Sequence, residues 1–256
     1  RFLQGQITSE ILLLEEKKVI RTCWLSPVGR IKALLELRII NNEAEVLILS
    51  GKPKDVLEGF ERVIFPSDQV NVHLGSQMRR VQKMSMQQSW NETYFEWMQG
   101  EKPLEKRLEN LDSANTLQFE EWRIKQGIPF SLGELNGELN PFELGLSNLI
   151  NLSKGCFLGQ ETLAKLNTVG YPKQELRIFE ARFKISTGEK LFSKKNNDSS
   201  IPAGFITSSL NVSANSTIGL AIIRRKSLFE KELIYKNNNL SVQINYPIGF
   251  NSLVPY

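Results

Sequence analysis

The sequence predicts an α+β fold that ends in a small all-β module, and three observations lead to this prediction. In the first 75 residues, strand-like and helical segments are mixed through hairpins and do not alternate strictly. One helix with a clear stop signal lies near the middle of the chain. After residue 170 only strand-like runs remain, separated by Gly, Asn, Ser and Pro.

The first part of the chain is predicted to form a helix, a hairpin with a third strand, and a second helix. Thr8 has the side chain of an N-cap, and apolar residues follow it at helical spacing. The turn Ser26-Pro27-Val28-Gly29 joins two strand-like runs, because Pro fixes one φ angle and Gly accommodates a positive one. The predicted elements are a helix from Ser9, strands over 19–25, 31–40 and 45–49, a helix over 56–64 that stops at Pro66, and a strand over 70–74.

The rest of the chain is predicted to hold one helix, a surface loop and the strands of the β module. The helix covers 117–126, and Gly127 and Pro129 end it. A polar stretch over 131–140 is typical of a loop. The predicted strands cover 176–183, 201–207, 218–223 and 240–244. The resulting domains are 1–75 and 76–170, both α+β, and 171–256, which is all-β.

Composition excludes several classes of protein. No apolar run approaches the roughly 18 residues that a membrane-spanning helix needs. The two cysteines and the single histidine, His73, cannot build a disulfide framework, a His-based metal centre or a four-thiolate site, so no metal site is predicted. This cysteine usage favours a reducing compartment, the cytoplasm. The chain begins with Arg1, so its natural start is expected to be missing, and a lost targeting peptide would place it in an organelle matrix.

The charge distribution leaves a nucleic-acid interface open as one alternative. Residues 1–170 carry 20 Lys+Arg and 22 Asp+Glu, whereas residues 171–256 carry 12 and 6. The excess of positive charge therefore lies in the β module, around Lys194-Lys195 and Arg224-Arg225-Lys226. Such a surface could attract an anionic partner such as RNA, but a solvated face of long cationic side chains is the favoured explanation, because no aromatic residues are interleaved with the cations.

One segment, residues 154–161, combines several chemically informative residues. It reads Lys154-Gly155-Cys156-Phe157-Leu158-Gly159-Gln160-Glu161. A cation before the cysteine and a helix start after it favour the reactive thiolate form, and glycines allow close approach of another molecule. A lone cysteine is also often a small buried hydrophobic residue, and the spacing by itself leaves that alternative open.

This segment resembles the signature Lys-Gly-Cys-[Tyr/Phe]-x-Gly-Gln-Glu of the YgfZ family, folate-binding relatives of the glycine-cleavage T-protein. Matches to the family extend over nearly the whole chain. The other matching segments are Phe2-Leu3-Gln4-Gly5-Gln6-Ile7-Thr8, Pro27-Val28-Gly29-Arg30, Arg123-Ile124-Lys125-Gln126-Gly127-Ile128-Pro129, Asn140-Pro141-Phe142-Glu143, Ala203-Gly204-Phe205-Ile206-Thr207-Ser208-Ser209 and Ile218-Gly219-Leu220-Ala221.

The resemblance implies a T-protein-like folate-binding core of two related α+β domains followed by a C-terminal β-barrel. It implies a role in the assembly or repair of iron–sulfur clusters, with tetrahydrofolate or another reduced folate bound and with an indirect link to tRNA modification. Cys156 is the implied functional thiolate and Lys154 its supporting cation. Because one thiolate cannot hold a cluster, a cluster carrier or client protein is the implied partner. The implied folate-binding residues are Arg123, Gly155, Gly159, Gln160, Glu161 and Lys165, where Lys165 replaces the Arg common in the family.

A tetrahydrofolate-dependent aminomethyltransferase is the alternative enzyme on the same fold. T-protein-like enzymes carry an Asp after a Lys, and Lys54-Asp55 stands at the comparable place in this chain. The Asn-Ala that precedes this pair in those enzymes is missing, and Asp55 is also explained as a helix cap. The sequence therefore favours an accessory factor without turnover of its own, with the transferase as the alternative.

Overall fold

A computed structural model describes residues 1–100, 103–104, 106–130, 133–194, 202–235 and 240–253. Within these residues the helices are α1 (Phe2–Gln6), α2 (Pro53–Glu61), α3 (Lys106–Glu109), α4 (Thr116–Gln126) and α5 (Gln160–Val169). The strands are β1 (Val19–Leu25), β2 (Ile31–Ile40), β3 (Glu43–Ser50), β4 (Met78–Gln82), β5 (Phe95–Gln99), β6 (Gln174–Ala181), β7 (Lys190–Ser193), β8 (Pro202–Ser213), β9 (Ser216–Arg224), β10 (Glu232–Tyr235) and β11 (Leu240–Asn245).

Contacts divide the chain into two compact units. The first unit, called here the N-terminal unit, contains Arg1–Gly75, Pro129–Pro172 and Asn251–Tyr256. The second, called the barrel unit, contains Ser76–Ile128 and Lys173–Phe250. The range 76–170, predicted from sequence as one domain, contributes to both units, and the division into three domains stays a prediction.

The N-terminal unit is built on an antiparallel sheet in the order β1-β2-β3. The predicted turn between β1 and β2 is confirmed, because the Gly29 N–H donates to the Ser26 carbonyl at 2.9 Å and Gly29 has φ +73°. Trp24 of β1 and Phe60 of α2 pack edge to face between the sheet and the helix, with ring centroids 5.6 Å apart. Gly59 allows this approach, since a Cβ there would lie 2.3 Å from the Trp24 ring. The aromatic pair joins α2 to the sheet and buries the apolar face that the sequence pattern predicted.

Two predictions for this unit are wrong. The helix begins at Phe2 and ends at Gln6, and no helix starts at Ser9. Thr8 is fully buried and does not cap a helix, because its hydroxyl donates to the Leu149 carbonyl at 2.7 Å and accepts from the Cys23 N–H at 3.0 Å. Residues 70–74 are not a strand, and His73 is exposed. Tertiary hydrogen bonds have overridden the local helix signal at Thr8.

The barrel unit contains a closed antiparallel barrel in the strand order β10-β11-β6-β9-β8-β7. Its interior is apolar, and the fully buried side chains there include Phe179, Leu191, Ile223, Leu233 and Val242. The four strands predicted in this region are confirmed, although Ile201 lies outside the described residues. The strands β7 and β10 and the separate β4–β5 hairpin were not predicted.

Helix α4 ends where its sequence indicates, and it begins at Thr116, one residue before the predicted start. Asn115 is the N-cap and accepts from the Gln118 N–H at 2.9 Å, while the Gln118 side chain accepts from the Asn115 N–H. Gly127 ends the helix with φ +72°. The stretch 131–140 is not simply a surface loop, because Glu134, Leu139 and Asn140 are buried; Ser131 and Leu132 lie outside the described residues.

Across the described ranges, no helix combines the length and apolar character needed to cross a membrane. In the same residues there is no group of three or more His, Cys, Asp or Glu side chains arranged to hold a metal ion.

Candidate functional site

The segment 154–161 forms a loop and the first turn of α5, and it runs beside the chain segment 4–9. The Leu158 N–H donates to the Gly5 carbonyl at 2.9 Å, and the Asn151 N–H donates to the Thr8 carbonyl at 2.9 Å. Two segments about 150 residues apart in sequence are thus joined by backbone hydrogen bonds. Both belong to the N-terminal unit.

Lys154 makes the strongest link between these two segments. Its ammonium group donates to three backbone carbonyl oxygens, those of Gln4 at 2.7 Å, Ile7 at 2.7 Å and Ser9 at 2.8 Å. The residue is buried, and its Nζ lies 5.2 Å from the centre of the Phe157 ring. An ammonium group has three N–H donors, so its donors are fully engaged in this arrangement. Lys154 therefore fastens the loop to the segment 4–9.

The electrostatics around Lys154 follow from its burial. Loss of hydration lowers the pKa of Lys154 to about 8, while the Glu10 carboxylate acts in the opposite direction. Glu10 is held nearby, since the Gln4 side-chain amide donates to its carboxylate at 2.9 Å. The hydrogen bond from the Leu12 N–H lowers the pKa of Glu10. The role predicted for Lys154, support of a Cys156 thiolate, stays a prediction, and the structure gives this lysine a positioning task.

Cys156 and Cys23 have opposite surroundings. Cys156 is exposed, and its neighbour Gly155 faces open space, with no other atom within 4 Å of a Cβ built there. Cys23 is completely buried in β1, and burial raises the pKa of its thiol to about 12. Neither cysteine forms a disulfide. Cys156 is therefore the thiol that is accessible to another molecule, and the alternative of a small buried hydrophobic residue is wrong for it.

Gly159 has a packing role that Gly155 lacks. Gly159 has φ +83°, and a Cβ there would lie 2.7 Å from the Ser26 carbonyl oxygen and 3.0 Å from the Gly29 Cα. The β1–β2 turn thus packs directly against the start of α5. A glycine is required at this position by both the backbone angle and the close approach.

Gln160, Glu161 and Lys165 lie on the first turns of α5. The Gln160 side chain accepts from the Phe157 N–H at 3.2 Å and donates to the Leu152 carbonyl at 3.2 Å, so it fixes the loop from within. Glu161 and Lys165 form an exposed ion pair at 2.6 Å. The hydrogen bond from Lys165 lowers the pKa of Glu161. Gln160 thus bonds backbone groups of its own loop, and Lys165 presents its cation at the surface.

A second turn fixes the other side of the β1–β2 hairpin. Asn140 accepts from the N–H groups of Phe142 at 3.0 Å and Glu143 at 3.1 Å, and the Glu143 carboxylate accepts from the Asn140 N–H at 3.0 Å. The same carboxylate lies 3.5 Å from the Arg30 guanidinium. Residues 4–9 are a part of the site that chemical reasoning on the motif missed, because they contribute backbone carbonyls, and this turn is a second such part, whose side chains bond within the turn and to Arg30.

Arg123 lies in α4, in the barrel unit, and is buried. Its guanidinium forms a two-point pair with the Glu120 carboxylate, at 2.8 and 2.7 Å, and also donates to the Ile128 carbonyl at 2.7 Å and the Ser208 hydroxyl at 3.0 Å. These bonds join α4 to β8. Trp122 beside it is buried and donates to the Ser85 carbonyl at 3.1 Å.

Comparison with known proteins identifies the fold. The glycine cleavage system aminomethyltransferase T from Bartonella henselae superposes with a TM-score of 0.71 over 98% of this chain and 81% of its own, at 12% identity. The chain has the T-protein-like fold. The barrel and the mixed helices and sheets agree with the predicted α+β plan.

Sequence comparison gives partial relatives. A chloroplastic "putative transferase" from Arabidopsis thaliana is 50% identical over 58 residues, which are 23% of this chain and 13% of that protein. An uncharacterized protein from Haemophilus influenzae is 23% identical over 197 residues, covering 71% of this chain and 67% of its own. No protein-family model matches the chain. The chain therefore spans only a small part of the plant relative.

Proposed function

We propose that this protein binds a reduced folate and assists the assembly or repair of iron–sulfur clusters in client enzymes, as the resemblance to the YgfZ family implies. The observation that carries the proposal is the exposed Cys156 thiol on a loop whose neighbouring residues are fixed. Lys154, Gln160 and Gly159 hold the loop, and no packing requirement keeps a cysteine at 156. An accessible thiol on a fixed backbone is suited to reaction with a partner molecule.

The chemistry assigned to Cys156 is that of a transient ligand. A cysteine thiolate binds iron in iron–sulfur clusters, which normally need four ligands. With Cys23 buried, the N-terminal unit offers one accessible thiol, so the cluster carrier or client protein must supply the other ligands. The cluster is cargo in this proposal, passing between partners while Cys156 holds one iron. Client enzymes include those that modify tRNA, which makes the link to tRNA indirect.

Folate binding is supported by the T-protein-like fold. Of the residues predicted to bind it, Lys165 has a mostly exposed ammonium that fits the glutamyl carboxylates. Arg123 fits less directly, because its guanidinium already bonds Glu120, the Ile128 carbonyl and Ser208. A reduced folate would supply one-carbon chemistry or serve as a bound ligand. A reducing compartment, the cytoplasm or an organelle matrix, is part of the proposal, and the chloroplastic relative supports an organelle.

The thiol role is tested by complementation. Cells that lack the endogenous protein would be supplied with the Cys156→Ala variant, and the activity of a [4Fe–4S] enzyme would be measured. We expect loss of this activity with Cys156→Ala and near-normal activity with Cys23→Ala, because Cys23 cannot reach a partner. Full rescue by Cys156→Ala would refute the thiolate role. Titration of tetrahydrofolate into the Lys165→Ala variant and into the Arg123→Ala variant would test each predicted residue separately, and an unchanged affinity of a variant would remove that residue from the proposal.

The structural match to an aminomethyltransferase favours one second candidate, a tetrahydrofolate-dependent transferase. Asp55 lies in the first turn of α2, where Lys52 and not Asp55 is the N-cap residue. The explanation of Asp55 as a cap is thus wrong, although its carboxylate still faces the positive end of the helix dipole. Release of formaldehyde or ammonia from an aminomethylated carrier with tetrahydrofolate, lost in an Asp55→Asn variant, would establish this activity.

A further inference from the structure

A turn near the start of the chain, residues 11–14, presents two leucines to solvent and is called here the leucine turn. Leu12 and Leu13 are 61% and 87% exposed, whereas Ile11 before them is buried and Leu14 after them packs half-buried on the apolar core of the N-terminal unit. The Leu14 N–H donates to the Ile11 carbonyl at 3.1 Å. Because both ends of the turn are anchored, the backbone holds the two exposed leucines in a defined position.

The leucine turn is fixed to the loop that carries Cys156. The side chain of Gln4 accepts from the Ile11 N–H at 3.0 Å, and it donates to the Glu10 carboxylate at 2.9 Å. The carbonyl of Gln4 accepts from the Lys154 ammonium at 2.7 Å. One residue of α1 therefore bonds both the leucine turn and the loop, so the two exposed leucines and the loop form one hydrogen-bonded framework.

The backbone beside Cys156 is left uncovered by two glycines. A Cβ at Gly5, in α1, would have the Cys156 carbonyl oxygen at 4.0 Å as its nearest neighbour outside its own helix, and a Cβ at Gly155 would meet no such atom within 4 Å. Neither glycine has a positive φ angle. The fold therefore requires glycine at neither position, and inside a helix glycine is a cost. Uncovered backbone beside the thiol leaves room for the surface of another protein.

We propose that the leucine turn is the docking site for the protein partner of Cys156, and that Leu12 and Leu13 enter an apolar pocket of that partner. The proposal rests on the proposed function, in which a cluster carrier or client protein must bring its own ligands to the Cys156 sulfur. Burial of two exposed leucines removes apolar surface from water and stabilises such a complex. The shared framework of turn and loop then places the partner at the thiol.

The charges around the leucine turn favour a protein over a lipid surface as its partner. Glu10 precedes the leucines and Glu15 and Glu16 follow them, with no cation between these carboxylates in the sequence. The next cations are Lys17 and Lys18, and Lys18 is paired with Glu15 at 2.7 Å. Segments that bind anionic lipids carry an excess of Lys or Arg beside their apolar residues. A protein pocket with Lys or Arg at its border complements this turn.

The test is complementation with the full chain at a series of expression levels, in cells that lack the endogenous protein, with the activity of a [4Fe–4S] enzyme as readout. Leu12→Ser/Leu13→Ser should need about ten-fold more protein for half-maximal activity but reach the normal maximum, because it weakens docking and keeps the thiol. Leu12→Met/Leu13→Met, which keeps the apolar surface, should match the unmodified protein. So should the control Phe65→Ser/Leu74→Ser, which removes two other exposed apolar side chains of the N-terminal unit.

The outcomes separate this proposal from the proposed function. Full rescue by Cys156→Ala would refute the thiol role, whereas the docking site would be overturned by an unshifted curve for Leu12→Ser/Leu13→Ser, by its complete loss of activity at every level, or by an equal shift in the control. Flotation of the unmodified protein, but not of this variant, with vesicles of phosphatidylcholine and phosphatidylglycerol would assign the turn to a membrane instead. A dimer that the variant abolishes in sedimentation would assign it to a second copy of the chain.

Discussion

Replacing Lys154 with Met tests whether this lysine fastens the motif loop to the segment 4–9. Met keeps the length and apolar body of the side chain and removes its three donors. A hydrogen bond from a charged donor contributes about 1.5–3 kcal/mol. In the variant, water can bond the half-buried Ser9 carbonyl and so replace one of the three lost hydrogen bonds. The other two, at the lower value each, give a destabilisation of about 3 kcal/mol.

A loss of this size lowers the thermal midpoint of a protein of this length by roughly 6–12 °C. Calorimetry of the Lys154→Met variant and the unmodified protein would measure this shift of the midpoint. Lys165→Met is the matched control, because that lysine makes only an exposed pair with Glu161 and should cost less than about 1 kcal/mol. Equal midpoints for the Lys154→Met variant and the unmodified protein would show that hydrogen bonds from water stabilise the three carbonyl oxygens as well as the Lys154 ammonium does.

Three further predictions concern pH and glycine. Folding lowers the pKa of Lys154 from 10.5 to about 8, so between these pH values the unfolded chain binds a proton that the folded chain lacks. The free energy of unfolding of the unmodified protein, relative to that of Lys154→Met, should therefore rise with pH across this window. Urea unfolding at a series of pH values would measure it. The pKa of Cys23 is raised from 9.0 to about 12, so stability that the buried thiol contributes should disappear as pH rises through this range, and Cys23→Ala should show a shallower loss. Gly159→Ala, whose Cβ would meet the Ser26 carbonyl, should lower the thermal midpoint, while Gly155→Ala in the same loop should leave it unchanged; equal midpoints for these two would contradict the packing argument.

The parts of the fold that sequence predicts are those with local signals. Helix α4 carries its own N-cap at Asn115 and its own stop at Gly127, and the first hairpin carries its turn residues. The strands β7 and β10 have four residues each and pair with one another, although about 40 residues separate them. Such short strands exist because of pairing across the barrel, which no local pattern indicates.

One side chain of the site, that of Lys154, shows the same limit, because its contacts with distant residues could not be predicted from local sequence. A lysine two residues before a cysteine resembles an electrostatic partner of the thiol, and sequence reasoning assigned it that role. In the structure its ammonium donates to the carbonyls of Gln4, Ile7 and Ser9, a positioning task that the sequence did not indicate, and its support of the thiolate stays a prediction. Backbone oxygens are present at every residue, so their arrangement into a cation site leaves no trace in residue types. The matching segment at the chain start was the only sequence sign that this region belongs to the site.

The motif divides into positions that the fold needs and positions that it does not. Lys154 and Gln160 bond backbone groups, Phe157 is buried, and Gly159 accommodates the β1–β2 turn. Stability alone explains residues of these types at these positions. Cys156 is exposed, and nothing in its packing requires sulfur there. An exposed thiol is also exposed to oxidation, which is a cost without a folding benefit. A cysteine is therefore better explained at 156 by its reactivity than by its contribution to the fold, and this is the physical reason to test Cys156 first.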